Sequence, residues 1–136
     1  MQKYEFVEHT ADVAFRAYGA NARELFEHAA EALESIMICL DDVSCEDRRT
    51  ITLTAETCED LLYDWLSELL VLFEVDAFAV RRCSVDIEGL SLHAECLGTR
   101  IDPSRHRLKD EVKAVTYHEL EVKKNAYFQA QVTLDV

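Results

Sequence analysis

Hydrophobic positions along this chain follow a period of two in some stretches and of about 3.6 in others, and each change of period marks an element boundary. Tyr4 to Glu8 and Val13 to Tyr18 read as strands; in the second, Val13, Phe15 and Ala17 alternate with Arg16 and Tyr18. Asn21, with Glu24 three residues later, is a helix start signal. Beyond it Ala22, Leu25, Phe26, Ala29, Leu33, Ile36 and Met37 keep helical spacing, predicting a helix that ends near Leu40. Ile51, Leu53 and Ala55 alternate with Thr50, Thr52 and Thr54, a strand pattern.

A second start signal, Thr57 with Asp60, opens another helix with an apolar stripe of Leu61, Leu62, Trp65, Leu66, Leu69, Leu70 and Phe73. Its other face carries Glu59, Asp64, Ser67, Glu68 and Glu74, so it is a core helix with a solvated acidic side. From Phe78 the period returns to two: Cys83, Val85 and Ile87 lead to a turn at Gly89, and Leu90, Leu92, Ala94 and Cys96 come back. Periodicity then stops from Gly98 to Glu111. Two closing strands follow, Val112 to Val122 with a kink near Tyr117-His118, and Tyr127 to Val136. In the last, Phe128, Ala130, Val132 and Leu134 face the core, and Gln129, Gln131, Thr133 and Asp135 the opposite side. This order predicts an α+β fold: one compact domain over residues 1–136, two helices packed on largely antiparallel sheet that splits or curls.

Composition narrows the function classes. A chain of 136 residues buries about two-thirds of its unfolded surface, enough for one core without a disulfide or metal staple. No apolar run approaches the ~20 residues of a membrane helix, and the first residues lack the apolar stretch of a signal peptide, so a soluble, cytoplasmic protein with no membrane partner is expected. Five cysteines at irregular spacings, with no C-x-x-C pair, read as reduced thiols; Cys39, Cys83 and Cys96 sit at apolar positions. With 27 acidic against 14 basic residues the formal charge is −13, which argues against unaided binding to DNA or RNA phosphates. Contact with RNA is expected only through a partner. Three glycines leave no material for a standard nucleotide-binding loop, and no nucleophile elbow is present.

The candidate chemistry lies where strands begin and end. Asp12 precedes one strand and Asp135 ends another, so a fold that joins them would also bring up the Val136 carboxylate, enough oxygen for a hard cation. The alternative is that Asp12 caps a turn and Asp135 is merely solvated. His9 and His118 could be ligands or proton carriers, although no paired-histidine spacing supports them. His28 and His93 read as solvent-side residues without a role. The aperiodic loop holds Arg100, Pro103, Arg105, His106, Arg107 and Lys109, a basic island that either clamps phosphate, docks on an acidic partner, or is simply a solvated loop.

Several of these segments together resemble one family. Glu8-His9-Thr10-Ala11-Asp12-Val13, Arg16-Ala17-Tyr18-Gly19, the helix core from Leu61 to Leu70, the string Val112-Lys113-Ala114-Val115-Thr116-Tyr117-His118 and the ending Val132-Thr133-Leu134-Asp135-Val136 look like the archease family, in order from residue 4 to the last. The resemblance implies a non-catalytic helper of the RtcB-type RNA ligase, which seals RNA ends in tRNA splicing or RNA repair using GTP, manganese and a guanylylated histidine. The helper promotes that guanylylation and repeated turnover. By the same resemblance Asp12, Asp135 and Val136 bind a divalent metal ion such as calcium, magnesium or manganese, and His9, Lys113, Tyr117 and His118 are candidate contacts with the ligase. Ala14 stands where the family usually has glycine, and Phe128 where it often has tryptophan. Two rival functions are a general chaperone-like modulator of protein or RNA partners and a stand-alone metal-dependent hydrolase using the same carboxylates.

Overall fold

Asn21 and Thr57 each do what the start signals predict. The Asn21 Oδ1 accepts from the Glu24 N–H at 2.9 Å and the Thr57 Oγ1 from the Asp60 N–H at 3.0 Å. They open α1 (Ala22–Met37) and α2 (Cys58–Glu74) in a computed structural model that describes residues 1–7 and 12–136. Seven strands complete it: β1 (Tyr4–Val7), β2 (Val13–Gly19), β3 (Asp47–Thr54), β4 (Phe78–Glu88), β5 (Ser91–Arg100), β6 (Ala114–Lys124) and β7 (Phe128–Asp135). All pairings are antiparallel, in a four-stranded sheet of order β1-β2-β7-β6 and a three-stranded sheet of order β3-β5-β4. The expected α+β class holds, with the sheet split in two.

The helices join the sheets. Helix α1 packs on both β4 and β2, and α2 on β6, β4 and β3. Phe15, Phe26, Leu33, Trp65, Leu69, Phe78 and Leu134 share one buried cluster that draws on all of them. The Trp65 indole N–H reaches the Phe26 carbonyl at 3.0 Å, so the largest core residue leaves no polar orphan.

Splitting the sheet into two leaves four edge strands, β1, β6, β3 and β4, and at β4 and β6 the helices supply side-chain acceptors. There, helix carboxylates take the strand N–H groups that have no ladder partner. Glu27 accepts from the Val85 N–H at 2.9 Å and Glu34 from the Val80 N–H at 2.7 Å along β4, while Glu59 accepts from the Val122 N–H at 3.2 Å on β6. Glu34 is fully buried, and burial pushes its carboxyl up to about 8 against the opposing pull of the Val80 N–H, so it is protonated at neutral pH.

Several boundaries differ from the sequence expectation. Helix α1 stops at Met37 because the chain at 107–110 crosses its end: Lys109 N–H bonds the Met37 carbonyl (2.9 Å), Asp110 N–H the Ile36 carbonyl (3.0 Å) and the Lys109 ammonium the Ser35 carbonyl (2.8 Å). A short 3-10 turn, Leu40–Asp42, follows. Strand β5 runs through Gly98 to Arg100, so the aperiodic loop starts later than expected. A Cβ at Gly98 would lie 1.8 Å from the Ala79 carbonyl oxygen, so the glycine is there for close strand approach beside the bulge at Val80/Arg82. Gly89, at φ +60°, makes the tight β4–β5 turn.

The thiols are free, as read, but only Cys96 is fully buried; Cys39 and Cys83 are half-buried. His93 is exposed as expected, whereas His28 is half-buried, its Nδ1 donating to the Tyr18 carbonyl at 2.5 Å. No helix among the described residues is long and apolar enough to cross a membrane.

Candidate functional site

The strand register puts the two aspartates next to the same end of one strand pair. In the β2–β7 pair Phe15 is opposite Val132 and Val13 opposite Leu134, all of them core-facing residues. Asp12 and Asp135 are each one residue beyond the Val13–Leu134 pair, so a register continued by one step would oppose them, with alternation turning both to the face away from the core. Directly opposed residues have Cβ atoms about 5 Å apart, and like charges in that relation repel. Asp135 is exposed and Asp12 half-buried. The Asp135 backbone is fixed from the other side as well, opposite Ala114 of β6 and with its carbonyl accepting from the Lys113 N–H at 2.7 Å. Val136 follows, half-buried against the core.

Thr133 lies on the same face two residues before Asp135. It is fully buried, and its hydroxyl finds no partner among the described residues. Opposite it, the Thr116 hydroxyl donates to the Thr133 carbonyl at 2.9 Å and receives the His118 N–H at 3.3 Å. Pairing of β6 with β7 then breaks between Thr116 and Glu121, where Glu119 takes φ +54°, which realises the expected kink. The break frees Tyr117 to stack on Tyr63 of α2, ring centroids 4.1 Å apart and planes 11° from parallel, with its hydroxyl donating to Asp60 Oδ1 at 3.1 Å. Burial against that ring and the Asp60 carboxylate both raise the Tyr117 pKa. His118 is exposed, its Nε2 3.7 Å from Glu119 Oε1.

Lys113 and Asp135 are therefore joined directly, and Tyr117 and His118 stand a few residues along the same strand. His9 lies outside the described residues. Sequence reasoning missed Tyr63 and Thr133 as site neighbours; Tyr63 carried no signal, and Thr133 only the outward register it shares with Asp135. No group of three or more His, Cys, Asp or Glu side chains able to hold a metal ion comes together among the described residues. The donors at this strand end are the Asp12 and Asp135 carboxylates and the oxygens of Val136, an all-oxygen set whose chemistry fits a hard divalent cation.

The basic island serves the fold. Arg107 grips Asp42 three ways, through its backbone N–H at 2.9 Å to Oδ2, Nε at 3.0 Å to Oδ2 and Nη2 at 3.0 Å to Oδ1, which holds the Asp42 carboxyl down at about 2. His106 is buried and accepts from the Asp102 N–H at 2.8 Å, and the Lys109 ammonium is spent on the end of α1. Arg100 and Arg105 are the two island cations left at the surface without a bonded partner among the described residues. That is a poor phosphate clamp.

Residues 4–136 match the model of the Archease protein family (MTH1598/TM1083). The chain belongs to the archease family. Among archease relatives, the protein archease of Methanosarcina mazei is 43% identical, with 99% of this chain and 97% of that protein covered. The protein archease of Pyrococcus abyssi is 36% identical over all of both chains. The solution structure of Methanobacterium thermoautotrophicum protein 1598 superposes with a TM-score of 0.81 at 35% identity, covering both chains fully. The fold is also that of a Thermotoga maritima crystal structure described as an archease and possible chaperone, with a TM-score of 0.70 at 23% identity over 96% of this chain and 94% of that one.

Proposed function

We propose that this chain is a non-catalytic activator of an RtcB-type RNA ligase, acting in the cytoplasm through a metal-binding acidic tip made by Asp12, Asp135 and Val136. It promotes guanylylation and multiple-turnover ligation in tRNA splicing or RNA repair. The observation that supports the reading is the β2–β7 register, whose last pair is Val13 with Leu134; Asp12 and Asp135 are the next residue on each strand at that end of the four-stranded sheet. Archease family membership supplies the class of partner.

The chain's own residues supply orientation and charge. Asp12 and Asp135 would hold a calcium, magnesium or manganese ion with a Val136 oxygen, and the bound ion would offset their mutual repulsion. Lys113, fixed by its N–H to the Asp135 carbonyl, places a cation at the rim. Tyr117 is held by Tyr63 and Asp60 of α2, further along β6 from the tip. A protein of net charge −13 is drawn to a cation-lined enzyme cleft, which speeds encounter and fixes approach. Stimulation then requires tighter binding to the guanylylation-competent ligase state than to the other. RNA is contacted only indirectly.

The test is multiple-turnover ligation with the cognate ligase and Asp12→Ala or Asp135→Ala, with circular dichroism to verify folding and calorimetric titration with calcium and manganese. Both variants should fold, bind metal at least tenfold more weakly and lose stimulation. Full stimulation by either would sink the proposal. The description of the Thermotoga protein as a possible chaperone favours a second reading, a chaperone-like modulator; binding of unrelated proteins with no effect on ligation would support it. Turnover of phosphate esters by the purified protein would instead indicate the hydrolase.

A further inference from the structure

The C-terminal ends of both helices meet the 101–112 segment around an apolar recess of about 570 Å³. Its floor is Met37, Phe73, Ile101 and Leu108, and Val112 closes one wall. Leu108 remains half exposed because the backbone on either side is anchored, Arg107 carbonyl to Cys39 N–H and Lys109 N–H to Met37 carbonyl, so it cannot turn inward. An apolar surface thus stays open by construction, and the volume lies in the range of binding pockets.

Among the residues that line this recess, three carboxylates stand against one ammonium. Glu74, Asp110 and Glu111 form the rim, all exposed, and none of their carboxylates has a bonded partner among the described residues. The rim's cation, Lys109, is already committed to the Ser35 carbonyl. Neither helix has a basic residue in its last turn, so the negative ends of two helix dipoles add to the rim unopposed. Phosphate backbones and anionic lipid surfaces are repelled by such a rim. A second copy of a chain at −13 is repelled too.

We propose that this recess docks a short segment of a partner protein that carries one or two large apolar side chains flanked by lysine or arginine. The apolar side chains fill the floor, and the flanking cations pair with Glu74, Asp110 and Glu111. The position suits a second hold on a partner already at the acidic tip. Glu111 is two residues, about 7 Å of backbone, from Lys113, and the Lys113 N–H bonds the Asp135 carbonyl across the strand pair, so groove and tip are linked through one hydrogen bond. Identifying the two partners as one rests on the tip reading; the groove itself does not.

Two measurements separate these layers. In the first, isotope-labelled protein is titrated with a synthetic peptide of alternating leucine and lysine, with its leucine–glutamate counterpart, and with a glycine–lysine control. Shifts at Met37, Phe73, Ile101, Leu108 and Val112 with the leucine–lysine peptide alone, weakened tenfold or more in Glu74→Lys/Glu111→Lys, are expected. Binding elsewhere, equal binding of either control, or no binding would overturn the groove. In the second, the same double variant should raise the protein concentration needed for half-maximal ligase stimulation at least fivefold while leaving the maximum unchanged. Asp135→Ala should lower the maximum instead. An unchanged half-maximal concentration would refute the shared partner even if the peptide binds, and full stimulation by Asp135→Ala would refute the tip while leaving the peptide result standing.

Discussion

Glu34 makes stability depend on pH in a direction opposite to most carboxylates. Burial raises its pKa from an ordinary 4.5 to about 8, so between those values the folded protein keeps a proton that the unfolded chain has released. Its contribution is therefore complete below about pH 4.5, falls as pH rises, and is exhausted above about pH 8. At 1.36 kcal/mol per unit this amounts to a loss of about 5 kcal/mol, a large share of the stability of an ordinary domain. Glu34→Gln keeps an acceptor for the Val80 N–H and removes the titration. Urea unfolding from pH 4 to 9 should show the two proteins within about 1 kcal/mol at the acid end and the variant several kcal/mol more stable at the alkaline end. The self-repulsion of a chain at −13 is common to both and cancels in the difference. Parallel stability curves would refute the reasoning. Glu34→Leu controls for packing, since it orphans a buried N–H and should lie about 1–3 kcal/mol below Glu34→Gln at every pH.

Two further outcomes follow. Asp42 is held at about 2 by the Arg107 guanidinium, so its contribution is present above about pH 3.8 and lost as pH falls toward 2; Asp42→Asn should flatten the acid limb of the stability curve there. Gly98→Ala should cost about 3 kcal/mol or more in thermal unfolding, because the new Cβ meets the Ala79 carbonyl and β4 and β5 must part to admit it.

What could be read in the sequence was what is decided within a few residues. Asn21 and Thr57 were legible as caps because the bond they accept comes from three residues on, and the kink after Thr116 because no period continues through Tyr117-His118. Glu34 was not, because a glutamate at a core position means something only once the β4 bulge lays the Val80 N–H beside it; its four-residue spacing from Ala30 was the available clue. Gly98 was read as the start of a loop, since the backbone that requires it is nineteen residues earlier in the chain, at Ala79. At the candidate site, the type and strand-end position of Asp12 and Asp135 were legible, but not that they adjoin the same end of one strand pair. That depends on register between strands more than a hundred residues apart, which no local pattern encodes. The basic island misled for a related reason: Asp42, the partner of Arg107, is 65 residues distant in the chain.

The carboxylates that cover β4 and β6 also limit how this protein can polymerise. A second chain adds as a strand where a row of backbone groups is open, and among the described residues β1 and β3 are the edges with no helix carboxylate on their N–H groups. Strand β1 offers four residues. Strand β3 is the longer template, yet its outward side chains, Arg48, Thr50, Thr52 and Thr54, are polar and wet, so a fibril seeded there would have to bury them against one another. The three glutamates that hold the helices to β4 and β6 thus also interrupt, at Val80, Val85 and Val122, the rows of N–H groups an added strand would need.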